Sequence, residues 1–188
     1  ASFDGEGDYI SVQDSDNWAF GTGDFTISFW VNLGNVNVHN GFYEQYIDAN
    51  NFITIYRNSN SNIQFGVNHG GTYLAGYYAA WTPTIDTWHQ VIWERKGTNI
   101  YLYIDAVQIT LTNWATIETS SIPKFATSPN IGKTLVTGSV SYMNGLIDEV
   151  RIYNRALSAD EIKELYEGGQ TAFSITKNAS PFSIKQGQ

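Results

Sequence analysis

"GLIDEVRIYNRALSADEIKELYEGG", residues 145–169, sets a strand and a helix side by side. "GLIDEVRIY" carries the apolar, β-branched pattern of a buried strand. The following segment is marked as a helix from its first residue. Ser158 is placed to cap the first amides, Glu161 three residues on completes a capping box, and Leu157 can staple against Ile162. Asp160 and Glu161 suit the positive end of a helix dipole. Ile162, Leu165 and Tyr166 share a face and Gly168 offers a left-handed stop, so the spacing predicts a helix of about ten residues. A helix that short is marginal alone and is expected to dock its apolar face on a sheet, covering an edge or an end.

Upstream, everything reads as strands. "DYISV", "FTISFWVNL", "YEQYID", "FITIYR", "NIQFGV", "TYLAGYYA", "HQVIWERK", "NIYLYIDAVQIT" and "SPNIGK" recur between Gly- and Asn-rich breaks. In "FTISFWV" Phe25, Ile27, Phe29 and Val31 fall on one face, with Thr26, Ser28 and Trp30 on the other. "NHGG" (68–71) and "RKGTN" (95–99) read as hairpin turns. Some ten such strands without intervening helices describe an all-β, two-sheet antiparallel sandwich with one short C-terminal helix.

The composition agrees. Twelve Tyr, ten Phe and six Trp in 188 residues, with 17 Gly, favour pleated surfaces joined by turns, and the length suits one domain plus a tail. A formal charge of -8, with ten scattered Lys and Arg, argues against nucleic acid as a partner. With no Cys the core must hold the fold unaided. No apolar run approaches the roughly 20 residues of a membrane helix, and the opening "ASFDGEGDY" has no charged-then-apolar leader pattern.

"FDGEGDYISV", "GDFTISFWVNL", "TWHQVIWERKGTNIYLYIDAVQI" and "MNGLIDEVRIYNRALSADEIKELYEGG" occur in the order and spacing of laminin-G-like jelly-roll domains of the concanavalin A-like lectin/glucanase superfamily. The resemblance spans residues 1–168. It implies a jelly roll in which the first and last segments lie beside each other. Ala106 stands where the family has Gly in "YIDG", so the turn after Asp105 is expected to differ. Residues 169–188 are polar and read as a linker that opens a following module or forms a disordered tail, "SITKNASPFSIKQGQ" resembling the first strand of an Ig-like repeat.

The resemblance further implies a structural calcium between the terminal segments, with Asp4 and Asp148 as carboxylate ligands and Glu6 and Glu149 as weaker candidates. "DSDNWAFGTGD" (14–24) lacks the central Gly and terminal Glu of a calcium-binding loop. Retaining glycoside hydrolysis needs two carboxylates roughly 5 to 5.5 Å apart. The nearest pair, Glu44 and Asp48, lies about 13 Å apart along a strand. Glu94 stands alone, and His39, His69 and His89 come from separate segments. With no phosphate loop and no nucleophile elbow either, the domain reads as non-catalytic.

Binding remains. Aromatic residues mix with Asn, Arg and His between Asn37 and Trp81, and Tyr43, Tyr46, Arg57, His69, Tyr73, Tyr78 and Trp81 are the candidate ligand-binding residues. In "FYEQYID" Tyr46 shares a face with Glu44 and Asp48, a polar and aromatic mixture that is unusual for a core. The expected partner is a polysaccharide or glycan, alongside other extracellular proteins, and the expected setting is a secreted or cell-surface protein. A structural or adhesive spacer without a glycan site is the alternative. A shallow face of this kind gains from multivalency, which tandem modules would supply.

Overall fold

A computed structural model describes residues 1–117, 120–136 and 138–176 of the protein. In chain order the strands are β1 (Ser2–Asp4), β2 (Ile10–Ser11), β3 (Phe25–Leu33), β4 (Asn40–Asp48), β5 (Asn51–Arg57), β6 (Asn62–His69) and β7 (Thr72–Ala80). There follow β8 (Trp88–Lys96), β9 (Asn99–Ile104), β10 (Val107–Ile109), β11 (Thr112–Ala115), β12 (Asn130–Ile131), β13 (Lys133–Val136), β14 (Ser139–Tyr142) and β15 (Asn144–Tyr153). Helix α1 (Ala159–Thr176) comes last.

Among the described residues, one sheet runs β1-β15-β3-β8-β9-β10 and a second runs β11-β7-β6-β5-β4-β12-β2, while β13 and β14 form a separate hairpin. All pairings are antiparallel. The two ends of the sandwich meet as the resemblance implies, with Ser2 opposite Leu146 and Asp4 opposite Asn144.

The core is the interdigitation of the two inner faces. Phe25, Ile27, Phe29, Val31 and Leu33 of β3, with Val91 and Trp93 of β8, meet Ile53, Ile55, Ile63, Phe65 and Val67 of the other sheet. Phe65 stacks on Trp93 with ring centroids 5.5 Å apart, and Phe29 meets Phe42 at the same distance. Thr26, Ser28 and Trp30 are buried as well, so the two faces of β3 differ in chemistry and not in exposure.

The run "NIYLYIDAVQIT" is a hairpin rather than one strand, turning at Asp105 (φ 52) and Ala106 (φ 61). The turn therefore keeps the left-handed geometry that Gly would supply, and Ala106 bears the strain. Asp105 is held in place because its carboxylate accepts the Gln90 N–H at 2.8 Å and lies 2.7 Å from His89 Nδ1. Ala106→Gly is expected to stabilise the domain by about 0.5–1 kcal/mol, strain relief outweighing the added freedom of the unfolded chain. A urea titration measures this, and a lower midpoint would contradict it.

Two compact units are distinguished, Ala1–Ala156 and the segment from Leu157 onward. At the start of the second, the capping box is formed as the sequence predicts: Ser158 N–H donates to Glu161 Oε2 at 2.8 Å and Glu161 N–H to Ser158 Oγ at 3.2 Å. Leu157 and Ile162 are both buried. The expected stop at Gly168 is corrected, since α1 continues to Thr176. Glycine permits a left-handed stop but does not impose one, and Gln170 Nε2 donates to the Tyr166 hydroxyl at 2.6 Å across it. Beyond Thr176, the expected linker or Ig-like opening lies outside the described residues.

Candidate functional site

The outer face of the seven-stranded sheet is built in cross-strand rows. Glu44, Thr54, Gly66 and Gly76 stand opposite one another on β4, β5, β6 and β7. On one side runs the row Tyr46, Phe52, Asn68 and Tyr73, and on the other Tyr56, Gln64 and Tyr78. A row of small residues between two rows of larger ones leaves a trough. It is a cleft of about 260 Å³ that Tyr46, Phe52, Thr54, Tyr56, Gln64, Tyr73 and Trp114 line, with Leu135 and Gly138 of the β13–β14 hairpin contributing to its wall.

Trp114 is delivered by a β-bulge. Asn113 pairs with Tyr77 and Ala115 with Gly76, so Trp114 is the extra residue of β11. A bulge re-aims a side chain, and here the indole lies directly over Gly76. A Cβ on Gly76 would come within 2.2 Å of the ring, so only glycine lets the indole lie this low. The rings then continue around the trough. Tyr46 and Phe52 are nearly parallel at 6.3 Å, Phe52 meets Tyr73 edge-on at 6.0 Å, Tyr73 meets Trp114 edge-on at 6.1 Å, and Tyr78 lies 5.9 Å from Trp114. Tyr73 and Trp114 remain 47% and 48% exposed, presenting apolar ring surface to solvent.

The polar groups are few. Tyr56 donates its hydroxyl to Gln64 Oε1 at 2.6 Å, which leaves the Gln64 amide nitrogen as a donor. Burial, with a smaller contribution from Tyr73, pushes the Tyr56 hydroxyl up to about 12, so it stays protonated. Thr54 is only 5% exposed and its Oγ1 has no hydrogen-bond partner among the described residues. At the hairpin end Glu44 is 1% exposed and accepts the Leu135 N–H, and burial raises its carboxyl to about 7.

Of the sequence candidates, Tyr46 and Tyr73 line this cleft, and Tyr78 reaches it through Trp114. Three are corrected because alternation turns them into the protein. Tyr43 is in the core, its hydroxyl 3.3 Å from Gln45 Oε1. Arg57 is fully buried and spends its guanidinium on the Trp81, Val36 and Asn58 carbonyls and on Ser61 Oγ. Trp81 is buried with its ring edge-on to His89. His69 is exposed at the end of β6, near Phe125, and does not line the cleft. Phe52, Thr54 and Gln64 were within reach of the sequence, since they alternate with Ile53, Ile55, Ile63 and Phe65 in "NFITIYR" and "NIQFGV".

The two carboxylates expected to share a calcium, Asp4 and Asp148, are not brought together. Asp4 lies opposite Asn144, four residues from Asp148 on β15, a separation of about 13 Å at the rise of a strand. Asp4 Oδ1 instead accepts the Glu6 N–H, and Asp148 Oδ1 the Glu149 N–H. Among the described residues no group of three or more His, Asp or Glu could share an ion.

A larger recess of about 720 Å³ opens beside Trp18, Phe20 and Tyr153. Three of its polar side chains are engaged: Asp16 pairs with Lys124 at 2.8 Å, Asp24 accepts the Gly97 N–H, and Trp18 Nε1 donates to the Gln13 carbonyl. The aromatic cleft is therefore the better candidate.

A laminin-G-type family model, described as the concanavalin A-like lectin/glucanases superfamily, matches residues 4–163. No curated protein shows detectable sequence similarity. Similar solved structures include domain 4 of AbnA, a GH43 extracellular arabinanase from Geobacillus stearothermophilus, in complex with arabinotriose. It is 16% identical with a TM-score of 0.57, over 88% of this chain and 87% of that one. The Ruminococcus gnavus IT-sialidase CBM40 bound to α2,3-sialyllactose is 12% identical with a TM-score of 0.63, over 88% and 97%. The binding domain of botulinum neurotoxin DC in complex with rat synaptotagmin II is 14% identical with a TM-score of 0.67, over 88% and 42%. At such identities the likeness is one of fold.

Proposed function

Because the chain belongs to the concanavalin A-like lectin/glucanases superfamily, with residues 4–163 matching, we propose that it is a non-catalytic carbohydrate-binding module of a secreted or cell-surface protein. The observation that carries this reading is the pair of half-exposed rings, Tyr73 and Trp114, above a trough that holds an unpartnered hydroxyl. Flat rings accept the apolar C–H face of a sugar, and the polar groups between them hold its hydroxyls. The arabinotriose and sialyllactose held by two proteins of the same fold support the class of ligand.

Trp114→Ala is expected to weaken glycan binding about tenfold or more, the loss of one well-buried contact face, while moving the melting temperature little because the ring is half exposed. Gly76→Ala should act the same way from beneath, its Cβ lifting the indole from its seat. Tyr43→Phe, a core change on the opposite face, leaves binding as it is. A glycan array with titration of its hits by calorimetry measures all three. A blank array would favour the spacer reading.

A further inference from the structure

The cleft has a chemical signature beyond its aromaticity: none of the described residues that line it is charged. Glu44 stands in the same cross-strand row as Thr54, and its carboxyl adds no positive charge there. Arg57, though on β5, is fully buried and directs four hydrogen bonds to three carbonyls and a hydroxyl. Lys133 extends over the Tyr9 ring at 4.3 Å. The whole chain carries a formal charge of -8. A carboxylate or sulfate entering this cleft would lose its hydration without gaining a cation, and burial of an unpaired charge is strongly unfavourable.

The polar groups suit hydroxyls instead. Thr54 lines the cleft, and its almost wholly buried Oγ1 has no hydrogen-bond partner among the described residues, although a buried hydroxyl is ordinarily paired. A hydroxyl both donates and accepts, which is what a sugar hydroxyl needs. Gln64, its carbonyl engaged by Tyr56, has its amide N–H groups to offer. Asn68, in the row beside Gly66, likewise has a buried Oδ1 without a hydrogen-bond partner among the described residues.

Building on the carbohydrate-binding reading, we propose that this cleft selects uncharged glycans, with a neutral sugar ring on Tyr73 and Trp114 and its hydroxyls paired to Thr54 Oγ1 and Gln64 Nε2.

The test compares matched pairs that differ in charge: lactose against α2,3-sialyllactose, methyl-esterified against free oligogalacturonides, and chitin against chitosan oligosaccharides, with neutral arabino- and gluco-oligosaccharides added. The expected result is binding confined to neutral members, or about tenfold or more tighter for them. Thr54→Val should abolish or weaken that binding about tenfold while holding or raising the melting temperature, because the hydroxyl has no partner to lose in the free protein. A purely structural Thr54 would lower the melting temperature and leave affinity alone. Gln64→Lys should bring anionic members into the bound set. Equal or tighter binding of anionic or cationic members by the unaltered protein overturns the charge selection and leaves the module reading standing. Binding of no glycan of any class overturns both.

Discussion

Gly145→Ala is expected to destabilise the sandwich by about 4 kcal/mol, near the upper end of single substitutions. Gly145 has φ +134, a conformation L side chains rarely adopt, and an added Cβ would fall 2.1 Å from the Asn32 carbonyl oxygen and 2.9 Å from the Gly34 nitrogen. Both neighbours are backbone, so no rotamer change relieves the clash. Nor can the strand slide away, because Gly145 is paired with Phe3 of β1 on one side and with Leu33 of β3 on the other. Chemical denaturation followed by fluorescence measures the loss. Gly168→Ala is the control: a Cβ there meets nothing within 4 Å, and an alanine inside a helix is worth about 1 kcal/mol over glycine. A Gly145→Ala protein as stable as the parent would mean that β1 and β3 do not grip β15 as described.

Gly145 opens the stretch from which the fold was legible, yet its constraint was not. The strand and the capping box that follow it are local patterns of apolar spacing and side-chain reach, and such patterns survive without knowledge of neighbours. The need for glycine arises from two strands, β1 and β3, that are over a hundred residues away in the chain. The candidate site divides on the same principle. Tyr46 and Tyr73 fall in strands whose alternation declares a polar, aromatic outer face. Arg57 misled because a charged residue in a strand suggests exposure, whereas here the carbonyls of three loop residues and one hydroxyl satisfy it inside. Trp114 was invisible because its place depends on a bulge and on a glycine in the neighbouring strand, neither of which has a periodic signal. The hairpin that walls the cleft depends on a carboxylate of β4 reaching the Leu135 amide, a contact across ninety-one positions.

That carboxylate sets the second large expectation: the parent protein loses stability between pH 4.5 and 7, and Glu44→Gln abolishes the loss. Burial is the main cause of the raised value, opposed by the Leu135 N–H and by the charge of Lys133. Lys133 is the charged group identified facing it. Asn130 of β12 and Thr54 of β5, its partners on either side, are neutral. In the folded protein Glu44 holds its proton to about 7, against an ordinary value of 4.5. Between those values the native state binds a proton that the unfolded chain has released, so stability falls as pH rises through the window. The contribution is fully present below 4.5 and lost above 7, with a limit of about 3 kcal/mol. Glutamine keeps an acceptor for the Leu135 amide without an ionisation. Glu44→Gln should therefore exceed the parent by about 2–3 kcal/mol at pH 8 and differ from it little at pH 4.5. The other titrating groups are common to both proteins, so the difference between their two denaturation profiles isolates this one. Parallel profiles would show that the carboxylate is solvated and that the hairpin does not seal it. A difference that closes on acidification would establish that the wall of the cleft rests on a buried carboxyl whose proton stabilises the hairpin's seat on β4.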